Sequence, residues 1–439
     1  MSINSDEWLA RFLTLHPRKI DLSLGRIQAL LEELDGPHRQ LPPVIHVAGT
    51  NGKGSTVAFM RAILEAAGRS VHVYTSPHLV NFHERIRLGS AGGGTLVSEQ
   101  ALVAAFAACE QANAGAPITL FEMTTAAAFK LFADNPADVL LLEVGLGGRY
   151  DATNVIDKPA ASVITPVSHD HPEFLGTDLV GIAREKAGII KRGVPVISGW
   201  QATPALHAIE EEAQRLRAPL LIGGQDFNCY EQHGRFVYED ERGLLDLPQP
   251  ALPGQHQFEN AATAIAALRT CWPELDVKSF ERGIANVQWP ARLQKLASGK
   301  LAERLPAGAE LWLDGGHNEA GGRVLAEAIG DIEDHSPRPL ILICGTLSTK
   351  DTSGFLAHFR GLAREVIAVP IAGEHATRAA GEVATIAREQ ELSATVATGV
   401  EAALEAVASR TWPVPPRILI AGSLYLAGEV LKANGTPPV

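Results

Sequence analysis

The sequence predicts an α/β protein in two unequal parts: a larger one built on a mostly parallel sheet with a phosphate-binding loop, then a smaller, doubly wound one. Three observations carry this. The 439 residues are too many for one ordinary core. A short apolar strand, a Gly-rich loop and an amphipathic helix follow one another between residues 41 and 67. A fresh alternation of strands and helices begins after Asn286-Val287-Gln288-Trp289-Pro290.

Residues 41–48 (L-P-P-V-I-H-V-A) read as a buried strand, and residues 55–67 as a helix with Val57, Met60, Leu64 and Ala67 along one face and Gly68 as its C-cap. Further strands are expected at 137–144, 161–166 and 194–198, separated by helical segments, hence a parallel sheet. From 220 to 253 short β-like runs are broken by Gly-Gly, Asp-Glu-Arg-Gly and Pro, which predicts an antiparallel appendage without chemistry. The second part should hold strands at 310–314, 339–344, 365–371 and 417–421, with helices from about 320, near 354–363 and at the end. The domains are then 1–290 and 291–439.

Composition narrows the class. A chain that is 46% hydrophobic and 20% charged is an ordered globular protein. Its net charge of -12 argues against a nucleic-acid partner, because phosphate neutralisation needs clustered Lys and Arg. Cys109, Cys229, Cys271 and Cys344 form no C-x-x-C pair, which points away from zinc and disulfides and toward a reducing, cytoplasmic setting. The polar N-terminus lacks a signal-peptide pattern, and no stretch is long enough to span a bilayer, so no membrane partner is expected.

The loop Gly49-Thr50-Asn51-Gly52-Lys53-Gly54-Ser55-Thr56 concentrates backbone N–H groups, a helix N-terminus and one full positive charge at a single point, which suits a nucleoside triphosphate. It departs from G-x-x-x-x-G-K-[ST]: Val47 stands at the first Gly, and Gly54 follows Lys53, displacing the hydroxyls to Ser55 and Thr56. Magnesium held with the phosphates needs oxygen ligands. Glu143, at the tip of Leu140-Leu141-Leu142, lies where open α/β sheets place their ligands, and a carboxylate there is costly unless a cation meets it. His171, after the strand at 161–166, reads from the residues alone as structural, histidine being an unusual magnesium ligand.

Taken in order, the motifs resemble the folylpolyglutamate synthase family, and within it the bacterial bifunctional dihydrofolate synthase/folylpolyglutamate synthases of the Mur ligase superfamily. The residues that carry this are the loop above, Thr75-Ser76-Pro77-His78-Leu79, Glu143-Val144-Gly145-Leu146-Gly147-Gly148-Arg149-Tyr150-Asp151, Asp170-His171, Arg184-Glu185-Lys186, Pro290-Ala291-Arg292-Leu293-Gln294, Asp314-Gly315-Gly316-His317-Asn318 and Ser423-Leu424-Tyr425. The resemblance implies a P-loop ATPase domain and a Rossmann-like C-terminal domain closing over a shared cleft. It implies ATP contacts from residues 49–56, Asn260, Arg292 and Asp314, and Mg2+ held by Ser76, Glu143, His171 and a carbamylated Lys186. It also implies His317 and Ser423 near L-glutamate, Gly148 and Asp151 in a loop near the pterin, and Lys53, Lys186 and His317 as the catalytic residues. The activity implied is ATP-dependent addition of L-glutamate to dihydropteroate or a folate by a monomer, with a monofunctional folylpolyglutamate synthase as the alternative. Ala291 stands where the family often has Gly, and Gly315-Gly316 where Ala is common.

Competing readings fare worse. Only 48 residues precede Gly49, too few for the extra nucleotide-sugar domain of muramyl peptide ligases; no N-K-x-D guanine-reading motif occurs; and residues 314–318 lack the G-x-G-x-x-G of a dinucleotide oxidoreductase.

Overall fold

The computed structural model describes residues 4–17, 20–373 and 376–438. Its first sheet has the order β4-β3-β2-β5-β1-β6-β7-β8, with β1 Val44–Ala48, β2 Val71–Tyr74, β3 Ile86–Leu88, β4 Thr95–Leu96, β5 Val139–Glu143, β6 Ala161–Ile164, β7 Val196–Ser198 and β8 Leu220–Ile222. From β2 to β8 all neighbours pair in parallel; only β3 and β4 at one edge run antiparallel. A small antiparallel sheet follows, β9 (Phe227–Gln232), β10 (Arg235–Asp240) and β11 (Gly243–Leu247). The third sheet has the order β12-β13-β17-β14-β15-β16, with β12 Gln294–Lys295, β13 Glu310–Leu313, β14 Leu340–Cys344, β15 Ala363–Ala368, β16 Ala394–Val396 and β17 Arg417–Ala421.

Both large sheets are buried on two faces, as the near-continuous apolar strands require. Successive side chains of β5 alternate between two cores: Val139 and Leu141 join the cluster under the helices Lys53–Ala66 and Gln255–Cys271, while Leu140 and Leu142 join the cluster under Glu99–Asn113 and Leu120–Asp134. In β14, Leu340, Leu342 and Cys344 face one core and Ile341 and Ile343 the other. Arg417, 1% exposed at the start of β17, is matched by Glu310 at 2.9 Å and by Glu333.

Expected and observed elements differ in three places. Leu220–Ile222 extends the main sheet in parallel beside β7 and does not join the antiparallel appendage. The helix expected near 354–363 spans Thr352–Ala357, capped by Asp351, and Gly361 (φ +78°) turns the chain into β15 before Glu365. The strands β2, β3, β4, β12 and β16 went unread: β3, β4, β12 and β16 have only two or three residues, and His72 breaks the apolar run of β2, its ring satisfied by the Asn135 carbonyl at 2.8 Å. No helix among the described residues is long and apolar enough to cross a membrane.

Candidate active site

The phosphate loop leaves β1 at its carboxyl end and enters the helix Lys53–Ala66. Two glycines make the turn possible. Gly52 adopts φ +85°, and a Cβ there would fall 2.3 Å from Asn260 Oδ1; a Cβ on Gly49 would collide with Thr165 Oγ1 at 1.9 Å. The same contact puts Asn260, whose Nδ2 donates to Gln257 Oε1 at 3.1 Å, directly beside the loop. Lys53 Nζ folds back to the carbonyls of Gly49 (3.1 Å) and Thr50 (3.2 Å). Ser55 and Thr56 are buried in the first turn, Thr56 Oγ1 without a hydrogen-bond partner among the described residues.

Lys186 approaches the loop from the helix Leu179–Ala187, and its Nζ donates to the Gly49 carbonyl at 2.9 Å. Burial, with the nearby charge of Lys53, lowers its pKa to about 7. Lys186 is 5% exposed, whereas Arg184, two residues before it on the helix, is exposed.

Glu143 ends β5, in register with Val47 of β1, so the loop and the carboxylate emerge side by side. It accepts from the Ser76 amide at 3.3 Å and has Lys53 Nζ at 4.0 Å. Burial pushes its carboxyl up, against the pull of Lys53 and Arg292. No group of three His, Cys, Asp or Glu side chains converges to hold a metal among the described residues. What is present is a buried carboxylate whose nearest cation, Lys53, stands 4.0 Å away, with the Ser76 amide on its other side; the Lys186 amine, about half neutral near pH 7, meets the same loop at Gly49. This is an oxygen-type donor set fit for a hard divalent ion.

Among the described residues, His171 makes no hydrogen bond or ion pair with Glu143. It adopts a left-handed conformation (φ +54°), and its Nε2 lies 3.4 Å from Lys350 Nζ and 3.7 Å from Asp170. Asp170 is the centre of this cluster: Lys350 at 2.5 Å and His317 Nε2 at 3.6 Å reach it from the second part of the chain. Although burial opposes ionisation, His317, His171 and Lys350 hold the Asp170 carboxyl well below its usual range.

The C-terminal residues stand at the carboxyl ends of adjacent strands β13 and β17. Asp314 accepts from the amides of Leu293 (2.7 Å) and Gly316 (2.6 Å); burial raises its pKa against the attraction of Arg292. Ser423 caps the helix Leu424–Asn434, accepting from Tyr425 N at 3.1 Å and leaving its own proton free to donate. The Gly422 amide bonds the Gly316 carbonyl at 2.9 Å, joining the Ser423 turn to the His317 turn. Asn51 of the loop and Asn318 exchange side-chain amide bonds of 3.3 and 3.2 Å across the cleft.

Gly148 and Asp151 have a different place. Asp151, 1% exposed, spends its carboxylate on Leu146 N, Thr153 N and Thr153 Oγ1. Gly148 lies so close to the end of the Lys186 helix that a Cβ would be 2.7 Å from the Glu185 carbonyl. Asp151 shapes the loop after β5 from within, and Gly148 lets it pack against the Lys186 helix.

The matches to known proteins follow this geometry. The Mur ligase middle domain model matches residues 47–268. The dihydrofolate synthase/folylpolyglutamate synthase of Escherichia coli K12 is 33% identical over 426 residues, 97% of this chain and 94% of that protein. The chain belongs to the dihydrofolate synthase/folylpolyglutamate synthase family. It is accordingly an ATP-dependent acid–amino-acid ligase. The structure of E. coli FolC in complex with DHPP and ADP superposes with a TM-score of 0.86 at 32% identity, covering 97% of this chain and 96% of that one. The Yersinia pestis bifunctional enzyme complexed with AMPPNP and Mn gives 0.85 at 32% identity, with 98% and 97% covered.

Against the family pattern, Ala291 is informative. It is buried at φ +56°, a region where glycine is at ease and an L side chain is strained, which accounts for the glycine common there. Sequence reasoning missed Lys350. Its position in the loop after β14, at the carboxyl edge of the sheet that supplies Asp314 and Ser423, was the available signal.

Proposed function

We propose that the chain adds L-glutamate both to 7,8-dihydropteroate and to reduced folates through an acyl phosphate, acting as a cytoplasmic monomer with the division of labour drawn between residues 1–290 and 291–439. The observation that carries this reading is the convergence on Gly49 of Lys53 and Lys186 beside the buried Glu143. It is a phosphate loop with cationic and carboxylate groups fixed at one point.

Carboxylate and amine alone form only a salt, because the carboxylate oxygen is a poor leaving group. In the proposed path an acceptor carboxylate oxygen attacks the γ-phosphorus of ATP and the bond to the β-phosphate bridging oxygen breaks, leaving ADP and an acyl phosphate. The loop amides of residues 49–56 cradle the phosphates, and Lys53 exchanges its carbonyl partners for phosphate oxygens as charge moves outward. Asn260, Arg292 and Asp314 hold the nucleotide between the two parts. Ser76, Glu143 and His171 would hold Mg2+, with Lys186 as its carbamate; the ion would neutralise charge on the phosphates and polarise the acyl carbonyl. His171 would leave Lys350 to do so.

The neutral α-amine of glutamate then attacks the acyl carbon, the acyl C–O bond to phosphate breaks, and one amine proton leaves with the phosphate, giving the amide. Ser423 and His317 orient the glutamate: His317 Nδ1 donates to the Gly315 carbonyl at 2.9 Å, and its Nε2, now 3.6 Å from Asp170, would turn from that carboxylate to the substrate. Water is kept out by the contacts that join the two parts, Asn51 to Asn318 and Asp170 to Lys350. Gly148 and Asp151 fix the loop that would border the pterin.

Carbamylation of Lys186 is supported by its buried amine with a pKa near 7, since only a neutral amine adds to CO2. Lys186→Ala should be nearly inactive and regain activity with a short carboxylic acid; full activity without rescue would exclude the carbamate. For the reaction itself, phosphate release from ATP with Mg2+ and L-glutamate is compared with dihydropteroate and with a reduced folate as acceptor. Release with both is expected. Release with the folate alone would leave the monofunctional reading, and release with neither would refute the ligase assignment to these acceptors.

A further inference from the structure

A cavity of about 560 Å3 opens beside Ser76 and Glu143 and runs back along the helix Lys53–Ala66 toward the helix Val277–Asn286. Its size falls within the roughly 300–1,000 Å3 of small-molecule sites. The wall next to the reaction centre is apolar: Val57, Ala58 and Trp289, whose indole packs so tightly on Gly54 that a Cβ there would be 2.8 Å from its Nε1.

The end beside Arg61 is basic, in a chain of net charge -12. Arg61, Arg87 and Arg282 all line it. Arg61 has a single long hydrogen bond, from Nη2 to the Gln288 carbonyl at 3.4 Å, and its Nε is buried without a partner. Arg87 lies 3.6 Å from Glu65, its Nε likewise without a hydrogen bond. Arg282 donates to the Ala66 carbonyl at 2.9 Å. Among the described residues, Glu65 is thus the one carboxylate set against three guanidiniums at this end. Glu84, nearer the mouth, is already saturated by the amides of Leu79, Val80 and Asn81. Burial and Arg87 together disfavour the charge on Arg61, against the weaker help of Glu65, so an added anion would relieve both.

We propose that this cavity receives the α-carboxylates of the glutamyl chain already carried by a folate acceptor, with the chain's terminal carboxylate at Glu143 and the preceding ones directed to Arg61, Arg87 and Arg282. The proposal rests on the ligase reading above and adds a subsite to it. Dihydropteroate brings one carboxylate, the one that reacts. Each completed cycle adds another that does not react and still has to be accommodated next to the reaction centre. Apolar walls suit the methylene segments between them, and bidentate guanidiniums suit the carboxylates.

The test uses the full chain with Arg61→Met and, separately, Arg282→Met, the latter at an exposed position where folding is not at stake. Steady-state kinetics compare dihydropteroate with a triglutamylated tetrahydrofolate. The expected result is a KM for the triglutamyl acceptor raised about tenfold or more, the loss of one charge-assisted bond, with kcat/KM for dihydropteroate within about twofold. Arg61→Lys should recover part of the loss, and the variants should stop at shorter chains. Equal losses with both acceptors, or no loss with either, would overturn the proposal. Calorimetric titration with free tri-γ-L-glutamate decides independently of turnover. Binding by the unmodified chain that the arginine variants weaken supports the subsite; no binding by the unmodified chain refutes it. An unmodified chain that binds the peptide yet turns over neither acceptor would count against the ligase reading and leave the cavity assignment standing.

Discussion

Replacing Lys186 by methionine should make the folded protein more stable at neutral pH. The amine is buried, and burial with the neighbouring Lys53 lowers its pKa from 10.5 to about 7. The unfolded chain binds the proton across the window between these values while the folded one does not, so stability rises with pH from about 7 to about 10.5, and the cost is fully present below about 7. A fall of this size corresponds to roughly 5 kcal/mol. Methionine removes the charge and keeps a linear side chain of similar reach. The hydrogen bond lost is worth about 1 kcal/mol, and the Gly49 carbonyl retains Lys53 at 3.1 Å. The net expectation is a gain of about 2–4 kcal/mol at pH 7 that fades toward pH 10. Urea unfolding of both proteins across that range, in CO2-free buffer so that no carbamate replaces the amine, measures it. A variant less stable at pH 7, or a difference that does not shrink as pH rises, would refute the reasoning.

Lys53→Ala should lower phosphate release by about 10²–10³, and, because it also removes the cation 4.0 Å from the buried Glu143, lower the urea midpoint modestly while the chain still folds; near-normal turnover would remove the phosphate-loop assignment. Gly52→Ala meets both a left-handed backbone and the Asn260 side chain at 2.3 Å, so a destabilisation of about 2–3 kcal/mol and weakened ADP binding are expected, and an unchanged melting curve would contradict the loop geometry. Arg417→Met leaves Glu310 and Glu333 facing each other without their shared cation; a loss of about 3 kcal/mol in chemical denaturation is expected, with ATP binding unaffected, and a stabilised variant would show that packing outweighs charge at that point.

The parts of the site legible in the sequence were those written as contiguous motifs on strand ends: residues 49–56, Glu143 and Asp314 each follow an apolar strand, and the carboxyl edge of a parallel sheet is where such residues meet. Lys186 was not legible in this way. Its neighbours Arg184 and Glu185 look like a solvated helix face, and only the tertiary approach of that helix to Gly49 buries the amine. Lys350 and Arg61 escaped for the same reason, since a lone cation in a loop or on a helix carries no local pattern. Short strands such as Val71–Tyr74 fell below the length at which periodicity can be counted. The family resemblance supplied Lys186, His171 and Ser423. For His171 the structure shows a lysine nearby, a partner that the motif could not have announced.

Two of the polar contacts that bridge the cleft differ in what they sense. The Asn51–Asn318 exchange is between neutral amides, so neither acid nor salt changes it. The other joins Asp170 to Lys350 and His317, all ionisable. A solution condition that neutralises or screens charge would therefore release one edge of the cleft and leave the other fastened. The side of the cleft at residue 51 would thus keep its tie to Asn318 under acid or salt.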